Sequence, residues 1–167
     1  MQRELQIILH LTGLLETKVL LLVNLTNRVQ MGSQLVQANI IGMSAYAYGQ
    51  FAAQGDAQSG QYILKSDTTD ATAEAMTTNN STAAATNQIV AATDTCVTFS
   101  GTIVAMQNGA QSYGSWEIRG LLVNDGGTTT LPVFNISEIG SSGWKINLYA
   151  DNTNNALKVQ VTGEASH

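Results

Sequence analysis

Charged side chains make up only 11% of the 167 residues, less than half the share of an ordinary soluble domain. Three stretches, Gln30–Gly55, Ala75–Thr93 and Thr95–Trp116, carry no charge at all. Such a surface either packs against copies of the same chain or is covered by polar Thr and Asn and needs no partner. Lys and Arg number 7 against 12 Asp and Glu, for a net charge of −5. The cations form no basic patch, which argues against nucleic acid, where clustered cations must displace counterions from phosphates. The single cysteine, Cys96, excludes an intrachain disulfide. It lies in the strand-like run Thr95–Phe99 with no histidine nearby in sequence, so a buried, inert thiol is expected there. The two histidines, His10 and His167, have no companion at metal-ligand spacing. A Ser-His-Asp triad would have to use one of them. The stretch Gly140-Ser141-Ser142-Gly143 lacks the strand-turn-helix setting of a nucleophile elbow and reads as a turn. No metal, cofactor or enzymatic activity is expected.

What is present describes a β protein. Hydrophobic residues reach 44%, enough for a core. The 19 threonines suit a pleated, half-exposed surface. The 13 asparagines and 15 glycines suit turns with positive φ. From Gln61 onward, short apolar or alternating runs are separated by turn clusters. Gln61–Lys65 reads as a short strand, Ala71–Thr77 alternates weakly, Asn79–Asn87 is a polar loop and Gln88–Ala92 is short and apolar. Thr95–Met106 is a long strand with Val97, Phe99, Ile103 and Ala105 on one face. Asn108-Gly109 is a hairpin turn signal. Ser115–Asn124 returns with Trp116, Ile118 and Leu122 on one side and Glu117, Arg119 and Leu121 on the other. Asp125-Gly126-Gly127 turns again into Thr128–Phe134, where the only proline, Pro132, implies an edge strand. Trp144–Ala150 and Ala156–Thr162 alternate around the turn Asp151–Asn155, with Trp144, Ile146, Leu148, Leu157, Val159 and Val161 inward. Hairpin connections of this kind predict an all-β, antiparallel, jelly-roll-like sandwich rather than a parallel α/β fold.

The first 30 residues differ. Met1–Val29 is leucine-rich, but Glu16, Lys18, His10 and Asn24 interrupt it too often for a membrane span. No small-residue cleavage site follows Ile7–Leu15, which weakens a signal peptide. Ile8, Leu15, Leu22 and Val29 fall seven apart, with Leu11 and Leu25 between them, as in a coiled-coil seam. A helix is preferred here over an extended strand across Lys18–Thr26, although Gly13 weakens it. The chain thus divides into a stalk or assembly segment over residues 1–43, a small-residue transition over 44–60 and a β domain over 61–167.

Several side chains are candidates for chemistry or binding. Asp67 with Asp70, and Asp94, Glu117, Asp125 and Asp151, supply carboxylates for glycosidase-type acid and base roles. Asp67 with Asp70, or Asp151 with Asn152 and Asn154, supply oxygen ligands of the kind calcium takes. Most sit in turns, where Asp caps backbone amides, and that structural role is preferred. The Asn-x-Ser/Thr patterns at Asn24, Asn79, Asn80 and Asn135 are what an Asn- and Thr-rich composition produces. The better binding lead is aromatic. Tyr113, beside Asn108 and Gln111 in a polar stretch, and Tyr149, near Asn152 and pointing away from Trp144 and Ile146, could hold a sugar by stacking and hydrogen bonds. The competing role for each is a surface tyrosine covering a strand.

Several short motifs occur in a fixed order. They are Gly55–Leu64 (GDAQSGQYIL), Thr68–Thr72 (TTDAT), Ile103–Ala105, Trp116–Gly120 (WEIRG), Gly126–Leu131 (GGTTTL) and Asn154–Glu164 (NNALKVQVTGE). Together they resemble the C-terminal β-domain of bacteriophage tail-fibre proteins of the marine and cyanophage type, over roughly residues 44–164. Ser44–Ala53 is similar to the small-residue repeats of trimeric adhesin heads. The leucine-rich start lies outside the resemblance, and family chains tend to run on past the point matching Glu164. The resemblance implies a homotrimeric fibre tip on a virion, in contact with other tail proteins and attached to a host-surface glycan or protein. A purely structural fibre component and a glycan depolymerase are the alternatives.

Overall fold

The computed structural model describes residues 23–24, 28–32, 38–47, 50–107, 112–140 and 143–164. The chain forms two compact units, Met1–Ile63 and Leu64–His167. Among the described residues the regular structure is strand, with no helix, so the all-β expectation holds.

In the first unit, β1 (Val23–Asn24), β2 (Arg28–Gly32), β3 (Ser44–Ala47) and β4 (Gln58–Gln61) make one sheet in that order. The coiled-coil reading falls mostly on residues outside those described. Where residues are described, Val29 lies in a strand and not in a helix. β2 and β3 run parallel, Val29 opposite Ser44, whereas the other paired strands among the described residues run antiparallel. β3 alternates as a half-buried strand must: Ala45 and Ala47 are buried while Tyr46 is exposed. Asp56 closes the following loop by accepting the amides of Phe51, Ala52 and Ala53 at 2.6–2.8 Å. Those donors hold its carboxyl below the usual carboxylate value.

The second unit is a sandwich. One sheet is the meander β7 (Thr95–Met106), β8 (Tyr113–Asp125), β9 (Thr128–Gly140). The other has β10 (Lys145–Asp151) and β11 (Ala156–Thr162) as a hairpin, with β5 (Ala73–Ala75) and β6 (Ile89–Val90) both pairing with β11. Inward side chains of both sheets form one cluster: Ile103, Trp116, Ile118 and Leu122 meet Leu148 and Val159, with Phe99 and Trp144 at the margin. β7 and β11 keep the bounds read from the sequence. Gln61–Lys65 does not form a strand; β4 ends at Gln61, and Lys65 makes an isolated bridge to Thr77. β9 runs on to Gly140, beyond Phe134, because the meander gives it a full-length partner in β8. Pro132 sits on that edge strand, at the irregularity opposite Leu121–Val123, where a missing N–H disrupts no ladder bond. Cys96 is a correction: it is exposed, not buried. The two-residue period that turns Val97 and Phe99 inward necessarily turns Cys96 out.

Gly120, at the centre of β8, is required by packing. A Cβ there would lie 2.7 Å from Phe99 Cζ and 2.8 Å from the Val133 carbonyl oxygen. Gly120→Ala is therefore expected to lower stability by about 1–3 kcal/mol through overpacking. Denaturant midpoints for this variant, compared with the open-space control Gly140→Ala, test it; equal midpoints would remove the packing role.

Candidate functional site

The turn Asp151–Asn155 does more than reverse the chain. Asp151 accepts the Thr153 and Asn154 amides at 3.0 and 3.2 Å and the Asn154 side-chain amide at 2.8 Å. Asn152 Oδ1 accepts the Thr129 amide at 2.6 Å, and the Thr129 hydroxyl donates to Asn155 Oδ1 at 3.2 Å. The Asn155 carbonyl accepts the Ala91 amide, and the Ala91 carbonyl accepts Asn124 Nδ2, each at 2.9 Å. This polar clasp ties β8 and β9 of one sheet to the β10–β11 hairpin of the other. Burial raises the Asp151 pKa, but the hydrogen bonds from Asn154 and Thr153 outweigh it and hold the carboxyl below its usual value. Asp94, Asp70 and Asp67 have similar structural tasks. They accept the Gly126 amide at 2.9 Å, the Thr72 amide at 2.7 Å and Asn80 Nδ2 at 2.9 Å.

Tyr149 stands on the outer face of β10 directly opposite Lys158 of β11, and is half exposed. With Asp151, Asn152, Lys158 and Gln160 it lines a shallow hollow of about 380 Å³. The structure therefore brings two expected site residues, Tyr149 and Asn152, to one place. Asn152 commits its carbonyl oxygen to Thr129, which leaves its NH2 as the group available there. Lys158 and Gln160 alternate with the inward Leu157, Val159 and Val161; pairing Asp151 with Ala156 across the turn is the register that sets them beside Tyr149. An aromatic face edged by Lys, Gln and Asn donors suits a hydroxyl-rich ligand such as a sugar.

Tyr113 is separated from that hollow. It opens β8 opposite Met106, on the other sheet, and is 71% exposed. Asn108 and Gln111 lie outside the described residues, between Gln107 and Ser112, whose backbones bond at 3.0 Å. Around Tyr113 the surface is apolar. Val104, Met106 and Ile139 join it in lining an open depression of about 600 Å³.

Among the described residues no three His, Cys, Asp or Glu side chains gather as a metal site would require. Comparison with protein-family models, curated proteins and solved structures gave no match.

The clasp generates a pH dependence. A carboxyl whose folded pKa is depressed adds stability above its unfolded value and loses it as pH falls through the folded one. Thermal midpoints are expected to be level above about pH 5 and to fall below about pH 4. Asp151→Ala is expected to cost about 1–2 kcal/mol at neutral pH and to flatten the acid limb. An acid limb unchanged in that variant would show that Asp151 does not contribute to it.

Proposed function

We propose that this chain is a non-enzymatic virion surface module, the distal part of a phage tail fibre, which assembles as a homotrimer and attaches to a host-surface glycan or protein. The observation that carries the reading is the Tyr149 hollow, an exposed aromatic face bordered by Lys158, Gln160 and Asn152 on a rigid hairpin. A site on paired strands is held more firmly than one on a loop. A ligand that meets side chains already fixed on paired strands pays less ordering cost on binding. The carboxylates offer further support. Asp67, Asp70, Asp94 and Asp151 each accept a hydrogen bond from a neighbouring turn or loop, as a scaffold requires.

Binding to an array of bacterial surface glycans tests the reading. Wild-type chain is expected to bind, and Tyr149→Ala to bind about tenfold or more weakly, the loss of roughly 1.4 kcal/mol of stacking. Undiminished binding by that variant would move the site elsewhere. Release of reducing ends from host polysaccharide would instead establish a depolymerase. Light scattering is expected to give a mass divisible by that of three 17.7 kDa chains.

A further inference from the structure

The outer face of β7–β8–β9 has a pattern that the fibre reading does not use. β8 is the central strand, and its outward residues each head a row across the sheet. The two middle rows are polar: Thr102–Glu117–Ser137 and Ser100–Arg119–Asn135. Beyond them the face turns apolar in both directions. At one end are Val104, Met106, Tyr113 and Ile139, each more than 60% exposed. At the other, Leu121 lies beside Val133, which is 61% exposed, and Val123 lies beside Cys96. Glu117 and Arg119 are both exposed, and within the described residues neither has a charged neighbour across the sheet.

The charged centre of this face is self-complementary about Ile118. A twofold axis lying in the contact plane, perpendicular to the strands and passing over Ile118, reverses the strand direction of a second copy. It sets Glu117 against the copy's Arg119, and Arg119 against the copy's Glu117. The same operation keeps each strand over its own copy, so the outermost rows meet as Met106 over Cys96 and Tyr113 over Val123, and the next rows as Val104 over Thr98 and Ser115 over Leu121. The outermost rows thus match in apolar character, the rows inside them set an aliphatic side chain against a small hydroxyl, and the polar middle meets itself. A threefold axis running along the strands would instead place Glu117 level with Glu117 and Arg119 level with Arg119, and like charges set opposite repel. Strands of 12 and 13 residues at about 3.4 Å per residue, three abreast at about 4.8 Å, give a projected face on the order of 600 Å². Side-chain relief adds to that, against the roughly 800 Å² that each partner gives a standard interface.

We infer that the outer face of β7–β8–β9 is an isologous contact with a second copy of this chain, two sheets stacked face to face with their strands antiparallel. Such self-matching patches are the usual basis of twofold assembly, and stacked sheets pack in this aligned manner. The contact is independent of the fibre reading, since a threefold stalk and a twofold sheet contact are separate symmetry elements.

Mass in solution tests it through charge reversal, measured by light scattering on the full chain with circular dichroism as the check on folding. Wild-type mass is expected to be six chains, the twofold contact joining two trimers; a mass of two chains supports the contact and counts against the threefold fibre. Glu117→Arg and Arg119→Glu, each of which sets like charges face to face, are expected to weaken association about tenfold or more and halve the mass at limiting concentration. The double reversal E117R/R119E restores opposite pairs and is expected to regain the wild-type mass. Single reversals that leave the mass unchanged overturn the contact. So does a wild-type mass of one or three chains, which gives the face to a partner of different sequence. A mass of three chains leaves the fibre reading standing, whereas a mass of one counts against both.

Discussion

The register of β8 is the constraint on which the second unit depends. Trp116, Ile118 and Leu122 lie on one side of this central strand and are buried, while Glu117 and Arg119 lie on the other and are exposed. A slip of one residue would bring Trp116 and Leu122 into solvent and drive both charges into an apolar core, where an unpaired charge is strongly unfavourable. Gly120 sharpens the register further, because only a residue without a Cβ fits beneath Phe99 and Phe134. Once β8 is seated, β7 and β9 follow as its hairpin partners. The inner face they share then dictates what the β10–β11 hairpin must present in return: Ile146, Leu148, Leu157, Val159 and Val161.

Low charge and high Thr and Asn content are two aspects of one design. Loop backbones need hydrogen-bond partners wherever they are shielded from water. Here neutral side chains supply many of them. Asn87, 2% exposed, donates to Asn79 and to the Thr82 carbonyl and accepts the Ala84 amide. Thr129, 1% exposed, links the clasp to β9. Because loops are satisfied this way, few charged residues are needed, and the two sheets can present faces of contrasting character. The β10–β11 face is polar with one aromatic ring. The β7–β8–β9 face has apolar ends and a single Glu–Arg pair at its centre.

Much of this fold was legible in the sequence, for a local reason. Strand identity and facing follow from a two-residue period that any short window reveals, so β7, β8, β10 and β11 and the inward set Trp116, Leu122, Leu148 and Val159 could be read directly. The turn chemistry of Asp125-Gly126-Gly127 was equally local; both glycines have positive φ. Cys96 shows how a local residue preference fails. Its type suggests burial, but its neighbours Val97 and Phe99 had already claimed the inner face. The candidate site was half legible: Tyr149 and its outward direction were evident, but its association with Lys158 and Gln160, and its separation from Tyr113, were not.

The sequence by itself therefore determined that the second unit is β, where its long strands run, and which side of each is apolar, since these depend on side chains a few residues apart. Only the tertiary structure decided which strands pair, including the parallel match of β2 with β3, and that the Asp151–Asn155 turn fastens two sheets together. It also assembled the Tyr149 hollow and the polar rows of Glu117 and Arg119 across β7–β8–β9. Those features join residues far apart in the chain, and their free energy comes from burial and hydrogen bonds that exist only after the sheets have closed on one another.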